Sequence, residues 1–417
     1  MLPELPVEIL QEIAFQVSTA EKKALRSVCK DLALAMDCLI FTTIILNTLG
    51  LHSADGTGMI ESLVTGALLT DWSRFPTALK IDLVKHQPQK EYDPPNDRLE
   101  GLLHLALSSM PNIRTVVWAI HWGYPTWPRR AIMHFLNSSQ FIDEIEIRIE
   151  TRVDMDCSWE QVRGIRKLTI NSRYTPTALF TQLTRLVANT RGLEGLHLLT
   201  PAEWSQFWIT LREQNMHLTD VATNNVTDDF LRYLGSYSGV QRLTLQYPSA
   251  STEAESNRLA NHFFGSVLPQ HKASLLHLSC VAWFEGRWSF GTHNADVISS
   301  LHRLSRLWMS VNGHDVPHEH TDNYSEWNAP ERLLQIATEL PVQHLGIFPA
   351  DPEESRGTLA GNHKHTFPVS QGIITALLGF AARSSSPSIV VVGVRRRWYE
   401  LNTTTNPDAS FEYFIQR

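Results

Sequence analysis

The residue types most able to do chemistry gather in a few short stretches. His314-x-x-x-His318-x-His320, with Asp315 and Glu319 between, offers imidazole and carboxylate donors of the kind that hold zinc. Its spacing matches no zinc signature, and a solvated polar loop is the plainer reading. His363-x-His365 is a shorter version of the same pattern. The four cysteines (Cys29, Cys38, Cys157, Cys280) are far apart and form no C-x-x-C pair, so reduced, mostly buried thiols are expected. A cysteine nucleophile needs a histidine partner, and 18 histidines leave such pairing without discriminating power. Arg395-Arg396-Arg397-Trp398-Tyr399 is the one basic run. Cations beside aromatics suit an anionic ligand or a nucleic acid; they equally suit a strand end whose charges blunt a terminal edge.

The common catalytic signatures are missing. No G-x-S-x-G, G-x-x-x-x-G-K-[ST] or G-x-G-x-x-G occurs, which removes serine hydrolase, P-loop nucleotidase and dinucleotide-binding enzyme as readings. Gly56-Thr57-Gly58 and Gly357-Thr358-Leu359-Ala360-Gly361 read as turns. No enzyme activity, cofactor or metal is expected. A balance of 36 basic against 43 acidic residues, net −7, argues against a dedicated nucleic-acid binder.

Aromatic residues offer binding rather than catalysis. Trp118, Trp122, Tyr124 and Trp127 form one group, Trp204, Phe207 and Trp208 a second, and Trp283, Phe284 and Trp288 a third. Each follows a predicted strand at a similar offset. Trp122, Trp127, Trp204, Trp208, Trp283 and Trp288 are therefore candidates for a rim that binds a target protein. The competing reading is that they fill the core between repeats.

The elements that would position these residues begin with three short helices. Pro6, Ile9, Leu10 and Ile13 fall at i, i+3, i+4, i+7 and share a helical face. Ser18-Thr19-Ala20-Glu21 has the spacing of a capping box and opens a second helix. Leu25, Val28, Cys29, Leu32 and Met36 continue the stripe, and Phe41–Leu46 turns β-branched and reads as a strand. Helices this short bury little by themselves, and an apolar face left over on them suggests docking.

Taken together, Leu5-Pro6-x-Glu8-Ile9-Leu10-x-x-Ile13, Leu25-x-x-Val28-Cys29-Lys30 and Leu39-Ile40-Phe41 resemble an F-box. The resemblance runs from Leu2 to Leu46 and departs from the usual pattern at Phe15–Glu21, which lacks a leucine-rich link. It implies binding of a Skp-family adaptor, and through it a cullin scaffold and a RING subunit. By position, Leu5 and Pro6 would insert into the adaptor, and Ile9, Leu10 and Ile13 would be shared between adaptor and module core. Leu25, Val28 and Cys29 would pack the helices together, with Glu8 and Phe41 completing the adaptor-binding set. The plainer alternative is an N-terminal helical cap on a larger domain.

Behind this module a pattern recurs: apolar-x-x-apolar-x-apolar. Its central positions are 44, 81, 116, 145, 168, 196, 221, 243, 276, 307 and 345. Successive copies lie from 22 residues (221 to 243) to 38 residues (307 to 345) apart. The middle of that range matches leucine-rich repeats of ~20–29 residues, in which each short strand pairs in parallel with the next. Ser388–Val394 reads as the last strand. Helical spacing shows in Pro176–Ala188, Asp228–Leu234, Arg258–Leu268 and Pro330–Leu340. His86–Asp97, Gly313–Asn328 and Ala350–Phe367 read as loops.

The expected fold class is α/β: a three-helix F-box over 1–40, then an irregular leucine-rich-repeat-like solenoid with a parallel curved sheet over 41–417. An ordinary α/β domain with a twisted parallel sheet is the alternative. F-box followed by degenerate repeats resembles an arrangement common in mushroom-forming fungi. The expected function is that of a substrate adaptor in a cullin–RING ubiquitin ligase, with an unidentified protein target; a repeat scaffold without a ligase role is the alternative. The N-terminus has no basic region and carries Glu4, Glu8 and Glu12, so no signal peptide is expected. No apolar run approaches ~20 residues, so no membrane span is expected, and a cytoplasmic or nuclear setting fits.

Overall fold

The computed structural model describes residues 5–47, 56–69, 71–81, 97–120, 126–149, 159–174, 177–190, 192–202, 204–317, 327–356, 363–383, 391–394, 397–402 and 412–416. The chain folds as two compact units, Met1–Leu193 and Glu194–Arg417. The boundary expected after residue 40 falls inside the first.

The first unit opens with α1 (Val7–Phe15), α2 (Thr19–Arg26) and α3 (Lys30–Ile40). The capping box at α2 forms as expected: the Ser18 hydroxyl accepts the Glu21 N–H at 3.3 Å, and the Glu21 carboxylate accepts the Ser18 N–H at 2.7 Å. The helices close on a small core of their own, Leu10, Ala14, Leu32, Ala35 and Met36, with Leu25, Cys29, Leu39 and Ile40 against it.

Strands β1 (Thr43–Leu46), β2 (Ala78–Ile81), β3 (Thr115–Ile120), β4 (Glu144–Ile149) and β5 (Lys167–Ser172) then pair in chain order, all parallel. Helices α4 (Gly56–Leu69), α5 (Asp97–Ser108) and α6 (Thr126–Ser138) fall between them, and α7 (Thr177–Ala188) follows. Gly56-Thr57-Gly58, expected as a turn, opens α4 instead. One apolar row crosses the sheet through Ile44, Leu79, Val116, Ile145 and Leu168, and a second through Leu46, Ile81, Trp118, Ile147 and Ile170. Alternate residues of a strand share a face, so both rows point into the core.

In the second unit, β6 (Gly195–Leu199), β7 (Asp220–Thr223), β8 (Arg242–Gln246), β9 (His277–Val281), β10 (Arg306–Val311), β11 (His344–Pro349) and β12 (Val391–Val394) are parallel and again in chain order. Between them lie α8 (Ser205–Glu213), α9 (Asp228–Leu234), α10 (Glu253–His262), α11 (Ala295–Ser299), α12 (Ala329–Glu339) and α13 (His363–Arg383). Thr227, Thr252 and Asn328 start α9, α10 and α12 by accepting the N–H three residues on, which supplies a partner to a helix-end donor that otherwise has none. The helix expected over Arg258–Leu268 begins earlier, at Glu253, and passes into a π turn over Phe263–Val267.

The register corrects two of the repeat positions. Ile44 pairs with Leu79 rather than Ile81, and Leu243 pairs with Leu278 rather than Leu276. A slip of two residues keeps every side chain on its own face, so the apolar pattern cannot distinguish the two alignments. The C-terminal end also differs from expectation. Strands β13 (Arg397–Asn402) and β14 (Glu412–Gln416) follow β12 and pair antiparallel. Arg397, Trp398 and Tyr399 therefore stand in a strand paired on both sides, not on a terminal edge. His363-Lys364-His365, expected within a loop, forms the start of α13.

Candidate functional site

Two surfaces carry the residues that the sequence singles out. The first is on α1–α3. Leu10 is buried, at 3% exposure, in the small core, while Leu5, Ile9 and Ile13 stand outside it with Ile9 at 46%. The four-residue spacing of Ile9 and Ile13 puts them on one outer face of α1. Helix α1 therefore has two apolar faces, and only one is covered. Leu25 and Cys29 pack against the core as expected. Val28 does not: at 67% exposure it points outward, because the segment from Ser27 to Cys29 has left the helical period that the stripe assumed. Glu8 and Pro6 are exposed. Phe41 is half-buried, its ring 5.6 Å from that of Trp72 and covered by the Arg26 guanidinium at 5.2 Å.

Most of the tryptophans expected on a binding rim fill the core instead. Trp127, Trp204, Trp208 and Trp288 are each no more than 2% exposed. Trp208 stacks on Tyr233 at 5.4 Å and meets Phe230 edge-on at 4.8 Å, and Trp204 donates its indole N–H to the Thr200 hydroxyl at 2.8 Å. Trp288 packs against Phe263 and Phe264. Units this large need bulky side chains to fill the space between strand and helix layers, which decides the question for these four. Trp122 lies outside the described residues. Only Trp283, 43% exposed, remains available, with its ring 4.8 Å from that of Tyr247.

Trp283 marks the second surface, an open cleft of about 470 Å³ on the sheet face of the second unit. Its aromatic lining is Tyr247, Trp283, Trp308 and Phe348, and its polar lining includes Thr244, Ser279, Asp351 and Thr366. Trp308 sits between the buried Leu307 and Met309, so alternation turns it to the face away from the core. A large aromatic between two core positions of a strand was the available sequence signal, and the same holds for Phe348 after Ile347. In register, Thr244, Ser279, Trp308, Gly346, Gly393 and Trp398 form one row across the sheet. The glycines leave room for the neighbouring indoles to lie over the backbone: a Cβ on Gly393 would stand 2.7 Å from the Trp398 ring.

Two residues back along the strands, Asp220, Arg242, His277, Arg306 and His344 are consecutive register partners. That step of two keeps them on the face of the cleft, and the His277 ring meets Trp308 edge-on at 5.8 Å. Asp220 is buried and holds His197 at 2.9 Å and Arg242 at 3.2 Å. Burial, with the nearby Arg306 and Arg242 cations outweighing Asp220, lowers the basicity of His277.

The histidine and cysteine candidates find no shared centre. His314 is described, while His318, Glu319 and His320 lie outside the described residues. Among the described residues no group of three or more His, Cys, Asp or Glu is placed to hold a metal ion. His365 instead bonds Glu285 at 3.0 Å, and Glu285 also accepts the Gly313 N–H at 2.6 Å. Cys280 is buried and its thiol is pushed well above its ordinary range by burial, the environment of an inert structural cysteine. Among the described residues no helix is long and apolar enough to cross a membrane. No protein-family model matches the chain, and a search among curated proteins finds no match.

Proposed function

We propose that this protein is a non-catalytic adaptor: its N-terminal helices dock on a Skp-family subunit of a cullin–RING ubiquitin ligase, and its repeats, leucine-rich-repeat-like in pattern, hold a protein target. The observation that carries this reading is the uncovered apolar face of the first helices. Leu5, Ile9, Ile13 and Val28 are all more than a third exposed on a unit that already has its own core. Ile9 and Ile13 share one outer face of the first helix, and exposed apolar groups that share a face mark a place of contact. Leu5, Ile9 and Ile13 coincide with positions at which the F-box resemblance puts adaptor contacts, whereas Val28 was expected to pack the helices together.

The repeats support the second half. Each unit sets parallel strands side by side in chain order with helical segments between, the arrangement of a repeat protein. Asn224 and Asn312, just beyond β7 and β10, accept the N–H of Thr200 and of Gly286 at 2.9 Å, so the loops after successive strands are tied to one another. Catalysis by proximity needs nothing more from such a chain. Tethering raises the effective concentration of the target beside the ubiquitin carrier.

The test is co-purification of tagged full-length chain with a Skp-family subunit. Leu5→Ala with Pro6→Ala, and separately Ile9→Asp with Ile13→Asp, are expected to abolish it while the circular dichroism spectrum stays unchanged. Undiminished capture by both double variants overturns the docking assignment.

A further inference from the structure

Beside the cleft on the second unit, two residues back along the strands on the same sheet face, runs a row of basic side chains. Across β8, β9, β10 and β11, Arg242, His277, Arg306 and His344 stand side by side at the strand spacing of ~4.8 Å. The arginines alternate with histidines, and burial together with the two flanking cations disfavours a charge on His277 between them. One carboxylate, that of Asp220, stands at the end of the row, and it is already shared between Arg242 and His197. Among the described residues Arg306 has no carboxylate partner, and the buried Nε2 of His277 has no hydrogen-bond partner. The indole N–H of Trp308, two residues beyond Arg306 on the same strand face, is a buried donor without an acceptor. Unmatched donors and cations on one side of an apolar cleft are the complement of an anion carried next to an apolar group.

We infer that this cleft binds an acidic peptide segment of a partner protein, with Asp or Glu carboxylates over Arg306 and Arg242 and an adjacent apolar side chain seated among Trp308, Phe348 and Trp283. Asp351 lines the cleft beside Trp283, where its N–H donates to the Trp283 carbonyl at 2.8 Å. It repels an acidic residue there and sets the direction of the segment: carboxylates at the arginine row, apolar anchor toward Asp351. Acidic peptide is favoured over nucleic acid because the cations stop at one row, Asp351 and Asp220 lie on the same face, and the chain as a whole carries −7.

This inference rests on the reading of the chain as a partner-binding protein. It is tested on full-length chain with an immobilised array of twelve-residue peptides in three sets of about equal size: Glu/Asp-rich with one Leu or Phe, the same with Lys, and the same with Ser. A 20-nucleotide single strand serves as competitor. The acidic set is expected to bind about tenfold or more above the basic set, as one charge-assisted contact warrants. Arg306→Glu, a change at an exposed position, is expected to abolish the preference. Trp308→Ala is expected to weaken the acidic set as well, with folding checked by circular dichroism. Equal or better binding of the basic or neutral sets, unchanged acidic binding by Arg306→Glu, no binding of any set, or displacement by the oligonucleotide at lower concentration than by free acidic peptide each overturns the proposal. Capture of the Skp-family subunit is read separately through Ile9 and Ile13, so the cleft and the adaptor role can fail independently.

Discussion

Trp308 lies over Gly346: a Cβ on that glycine would stand 2.9 Å from the indole and 2.8 Å from the Phe348 ring. Two aromatics of the cleft thus occupy the space that any larger residue at 346 would claim. Gly346→Ala is expected to cost about 1–3 kcal/mol, the range for overpacking a close-fitted site. Thermal unfolding followed by tryptophan fluorescence measures it. In a Trp308→Ala background the same change should cost less, since the clash has lost one of its two partners.

The two apolar faces of α1 should respond differently to substitution. Leu10→Ala opens a hole in a core of only a few side chains and is expected to cost about 2–5 kcal/mol, by denaturant titration. Ile9→Ala and Ile13→Ala remove exposed groups and should stay within about 0.5 kcal/mol. A large loss of stability from the second pair would mean that the outer face is covered within the folded chain.

The bond between Glu285 and His365 should make stability depend on pH. The hydrogen bond to Glu285 raises the His365 pKa above its ordinary 6.5, with Asp351 and Glu354 adding to it against the penalty of burial. Burial pushes the Glu285 carboxyl up, but the bonds from His365 and the Gly313 N–H outweigh it, and the carboxyl settles below its ordinary 4.5. The contribution of His365 is therefore complete below 6.5 and is lost as pH rises through its raised value. That of Glu285 is complete above 4.5 and is lost as pH falls through its lowered value. Melting temperatures of the native chain and of His365→Gln should differ most between pH 5 and 6 and converge in alkali. A difference that stays constant from pH 5 into alkali would show that the pair adds no proton-linked stability.

Tyr233 supplies two backbone groups with partners at once. Its hydroxyl donates to the Met216 carbonyl at 2.9 Å and accepts the Leu218 N–H at 3.3 Å, and burial holds the phenol protonated. Tyr233→Phe keeps the ring against Trp208 but leaves both groups unsatisfied. A loss of about 1–3 kcal/mol is expected in denaturant titration. Phe230→Leu in the same helix, which removes no hydrogen bond, is the comparison.

Much of this architecture is legible in the residues themselves. The apolar-x-x-apolar-x-apolar pattern marks β1 through β11, because the alternation that buries one strand face needs only local spacing. Helix α9 was expected over Asp228–Leu234 and forms there, since Thr227 and the acidic first turn define its start. The short antiparallel β13 and β14 were missed: their pairing depends on partners, not on any periodicity of their own. The cleft was missed for a related reason. Of the tryptophans that cluster in sequence, Trp127, Trp204, Trp208 and Trp288 go to the core, while Trp308, Phe348 and Trp398 come from separate strands and meet only across the sheet.

By itself, then, the sequence determined which residues of each strand face inward, where the capped helices begin, and that the first helices would have apolar side chains in excess of what they can bury. These follow from spacing within about ten residues. The tertiary structure decided the register of β2 and β9, which face of α1 is left open, and which aromatics line a surface. Those choices turn on contacts between segments far apart in the chain. A slip of two residues, or a tryptophan turned inward instead of outward, looks the same in a local pattern and differs only in what it packs against.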